Sequence, residues 1–218
     1  MCAKLIFVCV LTKLMQSTKP DRHIPVFLMD NPLRRLSRPM KTLSKYVSEG
    51  DVVADLGSGP GFHTLVLLRL VDPKGKVYAV DSDKAAIERL RKRSERKGFL
   101  NLDARVGSAA NLGHIPSASV DFVLADGLLC CTTAHTQVVA EIQRIMKTDA
   151  QTFIRVTRFL RASDPRTVSA REWEDILSGF RVVQKGGLAS MWALVEKQTE
   201  ETGHPSPGRQ SRENLGPW

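Results

Sequence analysis

The feature that most constrains the fold is a strand, a glycine turn and a helix in direct succession, DVVADLGSGPGFHTLVLL at residues 51–68. The first six residues are mainly apolar and partly β-branched, which is typical of a strand buried on both faces. Three glycines follow at Gly57, Gly59 and Gly61, and helical spacing comes next. A strand buried on both faces needs helices on both sides of its sheet, so this segment predicts an α/β architecture.

The same alternation continues along the chain. Asp83 is predicted to cap a long helix that Gly98 ends, and two final strands joined at Gly186-Gly187 form a hairpin. We therefore expect a β-α order repeated five times, then the hairpin. This gives a Rossmann-like, doubly wound, seven-stranded sheet, mostly parallel with a C-terminal antiparallel β-hairpin. The predicted strands are 51–56, 76–81, 101–108, 119–126, 151–159, 181–187 and 189–197, and the predicted helices are 37–48, 61–70, 84–97, 134–147 and one from about 169.

Composition narrows the class of protein. The chain has 218 residues, of which 42% are hydrophobic, so it can bury the core of one domain. Four cysteines do not form a disulfide framework, so we expect a cytoplasmic protein. The apolar stretch 3–15 is shorter than the roughly 20 residues that span a bilayer, so no membrane span is predicted. A homodimer is left open, with this stretch packing on the domain or on a second subunit.

The net charge of +9 suggests an anionic partner. Much of the excess lies in one segment, Arg89–Lys97, which holds six basic residues and one acid. Because this segment is predicted to be a surface helix, a solvated face is the simpler interpretation, and RNA binding is the alternative.

The spacing of the glycines limits the ligand. Their pattern is G-x-G-x-G, whereas the dinucleotide fingerprint is G-x-G-x-x-G, and no phosphate-loop motif is present. Asp55 precedes the turn, and a carboxylate there would repel a pyrophosphate but favour a cationic ligand. Asp81 ends the second strand about 20 residues later, where an acid can accept both ribose hydroxyls. A ribose diol together with a positive charge fits S-adenosylmethionine.

These residues resemble a known family. VADLGSGPGFHT and GKVYAVDSDKAAIERL are similar to the glycine motif and acidic loop of class I S-adenosylmethionine-dependent methyltransferases. The branch most resembled is methyltransferase type 11, with the ubiquinone and menaquinone biosynthesis enzymes. EIQRIMKTDAQTFIRV resembles the family's E-x-x-R-x-L-K-P-G-G and fifth strand. The resemblance covers roughly residues 23–196.

The resemblance also implies a division of the chain. We expect an N-terminal extension at 1–22, a methyltransferase domain at 23–197 and a disordered tail at 198–218. Within the domain, residues 23–48 are expected to form a lid over the cofactor and part of the substrate pocket.

The resemblance assigns the methionine part of the cofactor to the glycine turn. The backbone around Gly57, Ser58, Gly59 and Gly61 is expected to hold it. Asp55 is expected near its ammonium group.

The resemblance assigns the nucleoside part to the next two strand ends. Asp81 is expected to hold the ribose, with Ser82 beside the adenine. Ser108 and Ala109 fall where the family contacts the adenine edge, often through an Asp, so Ser108 is a departure from the pattern.

The resemblance implies that Asp126 and Gly127 face the transferring methyl group and the substrate. Asp126 and His135 are therefore the candidate catalytic residues, either serving as a general base if the acceptor carries a proton. For His135, a solvated loop position is an equal alternative. The segment KTDA at 147–150 replaces the family's Pro-Gly-Gly turn and is expected to change a loop only.

Three other features have simpler explanations. His63, at a helix start, is expected to cap or pack rather than touch substrate. Asp121 is expected to be structural. Cys130 and Cys131 are expected to act as small hydrophobic residues, with binding of a thiophilic substrate such as arsenite as the alternative. No Cys/His spacing indicates a zinc site, so no metal is predicted.

The sequence predicts a methyltransferase that acts on a small-molecule acceptor. An RNA methyltransferase is the second hypothesis, and a non-catalytic module that binds S-adenosylmethionine is the third.

Overall fold

The computed structural model describes residues 39–157, 166–187 and 190–198. The predicted extension, most of the predicted lid and almost all of the predicted tail lie outside these residues. The helices are α1 (Pro39–Leu43), α2 (Thr64–Val71), α3 (Lys84–Glu95), α4 (His135–Ile145) and α5 (Ala170–Ser178), with a 3-10 helix at Leu129–Cys131; the strands are β1 (Val52–Leu56), β2 (Lys76–Asp81), β3 (Leu102–Val106), β4 (Val120–Asp126), β5 (Met146–Thr157), β6 (Phe180–Gly186) and β7 (Ser190–Lys197).

The seven strands form one sheet in the order β3-β2-β1-β4-β5-β7-β6. β1 to β5 run parallel, and β7 pairs antiparallel with both β5 and β6. The predicted fold class, including the antiparallel hairpin at one edge, is confirmed. Strand order reverses between β1 and β4, and in open α/β sheets ligands bind beyond the carboxyl ends of the strands at this place.

Helices cover both faces of the sheet, as expected for strands that are mainly apolar on both faces. One core cluster joins the sheet to α1, α2 and α3 through residues such as Leu43, Leu68 and Leu90. The other joins it to α4 and α5 through residues such as Ile142 and Trp173.

Several predicted helices have different bounds in the structure. The predicted helix 37–48 is shorter, because α1 ends at Leu43 and turns follow it. The helix predicted from Gly61 begins at Thr64, because the glycine turn continues through His63. The predicted helix at 84–97 lies at Lys84–Glu95, and Asp83 caps it as expected, accepting hydrogen bonds from the amides of Ala85 and Ala86.

The repeated β-α order fails after β3. Residues 107–119 form turns that lead into β4 without a helix. Arg144 of α4 holds this connection by donating hydrogen bonds to the carbonyls of Leu112 and Ile115 at 2.9 and 3.0 Å. Glu141 accepts the Leu112 amide and also pairs with Arg144. The side chains of Glu141 and Arg144 therefore hold the connection in place, although no helix forms there.

The segment 147–150, predicted to be a loop, belongs to β5. Val120 pairs with Met146 and Phe122 pairs with Gln151, so the additional residues of β5 form an irregularity opposite Asp121. Lys147 lies there and donates to both Asp121 oxygens at 2.8 Å. This ion pair replaces the tight Pro-Gly-Gly turn of the family.

Of the residues that the structure describes, none belongs to a helix with the length and apolarity needed to cross a bilayer. The described residues also contain no group of three or more His, Cys, Asp or Glu side chains placed to bind a metal ion.

Candidate functional site

The glycine turn lies at the carboxyl end of β1 and is held against β2. Gly57, Gly59 and Gly61 have φ angles of 77°, 52° and 88°, in the region that favours glycine. The amides of Gly57 and Ser58 both donate to the Val80 carbonyl, at 2.8 and 3.2 Å. The turn is thus bent away from β1 at the place where strand order reverses.

Gly61 also allows helix α3 to approach the turn. A Cβ on Gly61 would lie 2.3 Å from Cδ1 of Leu90, which is fully buried. From the same helix, Arg93 donates to the Pro60 carbonyl at 2.9 Å. The path of the turn is therefore fixed by α3 as well as by β2.

Ser58 has an unsatisfied polar atom within the turn. Its Oγ is buried without a hydrogen-bond partner, a state shared among the described residues only with Nε2 of His114. A buried hydroxyl without a partner costs free energy that a bound ligand can offset. The residue fits the predicted contact with the methionine part of the cofactor.

Asp81 organises the turn from the end of β2. Its Oδ2 accepts the Gly59 amide at 2.7 Å, and its Oδ1 accepts the Asp83 amide at 2.8 Å. Each carboxylate oxygen can accept more than one hydrogen bond, so this arrangement is compatible with a ribose diol on the same group. The ribose contact stays a prediction.

Asp55 is buried, with only 2% of its surface exposed. Thr64, the first residue of α2, donates its hydroxyl hydrogen to Asp55 Oδ2 at 2.6 Å. The carboxylate therefore connects β1 to the helix that follows the turn. Its predicted role near the cofactor's ammonium group stays a prediction.

The loops after β2 and β3 meet beside Asp81. The Gly107 amide donates to the Asp81 carbonyl at 3.0 Å, which brings Ser108 and Ala109 near the end of β2. Ser82 and Ser108 are exposed and Ala109 is buried. Ser108 Oγ accepts the Ala110 amide at 3.2 Å. The structure brings together the four residues predicted for the adenine and ribose, and their roles stay predictions.

At the end of β4, Asp126 is part of a charged cluster. Arg155, directly opposite on β5, donates from Nε to Oδ1 at 2.6 Å and from Nη2 to Oδ2 at 2.7 Å. His63 Nδ1 lies 3.5 Å from the same Oδ2. These side chains are 10%, 30% and 11% exposed for Asp126, Arg155 and His63, so the cluster is largely enclosed.

His63 occupies the N-cap position of α2 but forms no capping hydrogen bond. Of the two roles expected for His63, capping or packing, the structure therefore agrees with packing. Its ring is buried, meets the Phe62 ring edge-on at 4.8 Å between centroids and faces Asp126.

His135 is the first residue of α4. Its Nε2 lies 2.8 Å from the Leu129 carbonyl, which connects the helix to the 3-10 segment. The pKa of the Glu172 carboxyl on α5 is lowered, mainly by a hydrogen bond from the Ser169 amide and to a smaller extent by His135. The catalytic role of His135 stays a prediction.

Neither Arg155 nor Thr64 was predicted from the sequence to belong to the site. The sequence does carry a signal for Arg155, because it is the one charged residue among the mainly apolar residues 152–156 of β5. Thr64 carried no such signal, because a threonine after a glycine turn is common as a helix start.

The contacts of Asp121 and of the two cysteines indicate structural roles. Asp121 accepts the Val52 amide at 3.0 Å and pairs with Lys147 at the amino end of β4. Cys130 is buried and donates its Sγ hydrogen to the Gly127 carbonyl at 3.3 Å, while Cys131 packs at the margin of the same apolar cluster. These contacts favour packing over thiophilic binding.

Comparison with known proteins gives a match over most of the domain. A model of the family described as "Methyltransferase domain" matches residues 47–187. Among curated proteins, a protein-L-isoaspartate O-methyltransferase of Ignicoccus hospitalis is 35% identical over 75 residues, covering 34% of this chain and 35% of its own. An arsenite methyltransferase of Halobacterium salinarum is 28% identical over 103 residues, covering 46% and 26%. The matched part of this chain thus spans about a quarter to a third of these relatives.

Solved structures share the fold over most of the chain. A SAM-dependent methyltransferase from Aquifex aeolicus superposes with a TM-score of 0.65 at 23% identity, covering 79% of this chain and 97% of its own. An rRNA methylase from Streptococcus thermophilus superposes with a TM-score of 0.55 at 16% identity, covering 78% and 98%. At these identities the likeness concerns the fold.

Proposed function

The chain belongs to the methyltransferase domain family, and on that premise we propose that it transfers a methyl group from S-adenosylmethionine to a small-molecule acceptor. The predicted resemblance to class I S-adenosylmethionine-dependent methyltransferases is confirmed at the level of that class, and so is S-adenosylmethionine as the cofactor. What we propose beyond this is that the methyl acceptor is a small molecule.

In this proposal the cofactor lies on the glycine turn at the carboxyl ends of β1 and β2. The positive-φ backbone at Gly57 and Gly59 leaves room for the methionine part, and the unpartnered Ser58 Oγ gains a hydrogen-bond partner. Asp55 faces the ammonium group and Asp81 accepts from the ribose.

The adenine then lies between the loops after β2 and β3. Ser82 contacts one side of the base, and Ser108 and Ala109 contact its edge. The cofactor supplies an electrophilic methyl carbon on a sulfonium, so the protein mainly has to align the acceptor with that carbon.

The observation that favours a small acceptor is the enclosed cluster of Asp126, Arg155 and His63. These groups come from β4, β5 and the start of α2 and are mostly shielded from solvent. Polar groups that are shielded from solvent at the ligand edge suit a compact substrate that is surrounded by the protein.

RNA is the second candidate, because Lys92, Arg96 and Lys97 of the basic segment are exposed. The same segment also has internal roles. Arg91 donates to the Ala104 carbonyl on β3, and Arg93 donates to the Pro60 carbonyl. Part of the basic segment therefore stabilises the domain, so Arg91 and Arg93 have roles other than phosphate contact.

The experiment compares the two acceptor classes directly. Purified protein is incubated with S-adenosylmethionine labelled in the methyl group and either a low-molecular-mass filtrate of a cell extract or total RNA. We expect label in the filtrate products and none in RNA. Label in RNA that declines steeply with salt and in Lys92→Gln would support the second candidate instead.

A folded protein that binds the cofactor and labels neither fraction would favour a non-catalytic binding module. A cytoplasmic location and a homodimer stay predictions from the sequence.

A further inference from the structure

We propose that His63 is the general base of this site, held by Asp126 and Arg155, and that the acceptor is a neutral phenolic or enolic hydroxyl. The inference rests on the proposed function and specifies its substrate class. It differs from the expectation that Asp126 or His135 removes the proton.

The three side chains are placed together by the sheet. Asp126 and Arg155 are direct partners on neighbouring parallel strands, at the carboxyl ends where the ligand is expected. His63 reaches the same place from the residue that precedes α2. His63, Asp126 and Arg155 are far apart in the sequence, and the fold brings them together.

Arg155 makes Asp126 an unsuitable base. A bidentate guanidinium occupies one position on each carboxylate oxygen, so fewer lone pairs remain to accept a proton from the acceptor. The carboxylate is thereby fixed in one orientation, with Oδ2 towards His63 Nδ1. Asp126 and Arg155 are positioning residues in this account.

His63 fits the role of the base for two reasons. Imidazole is the side chain that most readily exchanges a proton near neutral pH. A carboxylate beside Nδ1 favours the tautomer with its proton on Nδ1, which leaves Nε2 as the acceptor. The 3.5 Å separation is longer than a hydrogen bond, and contacts of this kind commonly tighten when substrate binds.

The reaction step balances with these residues alone and the two substrates. The acceptor hydroxyl gives its proton to His63 Nε2, and its oxygen forms a bond to the methyl carbon. The carbon–sulfur bond breaks with its electron pair on sulfur, leaving a neutral thioether. The imidazolium is stabilised by the Asp126 carboxylate until the proton is lost to solvent.

The need for a base indicates the class of acceptor. A carboxylate or an ionised thiol is already a nucleophile at neutral pH and gives no proton to His63. A phenol or an enol holds its proton at neutral pH and becomes a strong nucleophile once it is removed. The His63–Asp126–Arg155 cluster therefore points to a hydroxyl.

The first test needs neither cofactor nor acceptor. Nitrogen-15 spectra of the ligand-free protein report the tautomer of each histidine ring, and His63→Gln identifies the His63 signals. We expect the proton on Nδ1 in the wild type and in Asp121→Asn, and its loss from Nδ1 in Asp126→Ala. A proton on Nε2 in the neutral wild-type ring overturns the proposal, even if Asp126→Ala does not fold.

The second test uses phenol and catechol as acceptors, with benzoate and thiophenol as comparisons. We expect methylation of the hydroxyl compounds and a decrease in kcat of about 100-fold or more in His63→Gln. S-adenosylhomocysteine should bind this variant as it binds the wild type.

Two results of this second test overturn the proposal. One is an unchanged kcat in His63→Gln, and the other is no methylation of either hydroxyl compound by protein that binds the cofactor. Wild-type protein that is folded but binds no cofactor would contradict the proposed function instead.

Discussion

The two ends of β4 carry similar ion pairs in different settings. At the amino end, Asp121 pairs with Lys147 of β5 and accepts the Val52 amide. At the carboxyl end, Asp126 pairs with Arg155, which also lies on β5, and faces His63. In each case an aspartate on β4 meets a cation on β5.

The difference lies in burial and in what surrounds each pair. The Asp121 and Lys147 side chains are 23% and 39% exposed, whereas the Asp126 side chain is 10% exposed. Exposed pairs contribute little to stability, and more enclosed charges interact more strongly. The amino-end pair completes an irregular strand, and the carboxyl-end pair orients a third side chain at the ligand edge.

The largest effect is expected on kcat, when the Arg155–Asp126 and Lys147–Asp121 ion pairs are each broken by substitution. Arg155→Gln should lower the kcat of methyl transfer by about 100-fold, because Asp126 is no longer held towards His63. Lys147→Gln should leave kcat within about twofold, since its pair lies at the other end of the sheet. Initial rates at saturating cofactor measure both, and equal losses in the two variants would remove the distinction between the ends.

The next effect compares a glycine at the carboxyl edge with one at the amino edge. Gly61→Ala should lower the free energy of unfolding by about 2 kcal/mol, because its Cβ enters the space of Leu90 in addition to the strain of a positive φ. Gly98→Ala has a similar φ of 72° but open space around it, so a loss of about 1 kcal/mol is expected.

Urea unfolding of the two glycine variants and the wild type measures this difference. The clash at Gly61 would be refuted by losses of equal size, which would mean that Leu90 moves aside without cost.

The smallest effect concerns the stability of the fold at low pH, and it involves residues at neither end of β4. The pKa of Glu141 is lowered, first by its hydrogen bond with Arg144 and also by the Leu112 amide. A carboxyl whose folded pKa is lowered stabilises the protein above its unfolded pKa, and this contribution is lost as the pH falls through the folded pKa.

Glu141→Gln should therefore be less stable than the wild type at neutral pH, with the gap narrowing as the pH falls below about 4.5, the unperturbed value. Thermal unfolding followed across this pH range measures the gap. A gap of constant size from neutral pH to pH 3 would show that the Glu141 carboxylate has no linked role.

Much of the fold could be predicted because local patterns and burial agree. The mainly apolar run at Val52–Leu56 and the capping residue Asp83 each specify their element with little help from the rest of the chain. The turn region after β3 was not predictable in this way, because Arg144 stabilises it from a helix that is distant in sequence.

The site could be predicted where its residues follow a strand end at a characteristic spacing along the chain. The glycine turn and Asp81 follow from spacing along the chain, and the structure brings them together as expected. The cluster of His63, Asp126 and Arg155 depends on the register of β4 and β5, which spacing does not reveal. The sequence therefore indicates the methyl donor more clearly than the acceptor.

The most direct test of the central claim is a calorimetric titration with S-adenosylhomocysteine. Asp81 is coupled to the glycine turn, whereas Asp121 lies at the opposite end of the sheet. We predict binding by the wild type and by Asp121→Asn with equal affinity, and binding weakened at least about tenfold, or roughly 1.4 kcal/mol, in Asp81→Asn. Undiminished binding by Asp81→Asn, or no binding by folded wild-type protein, would contradict the account.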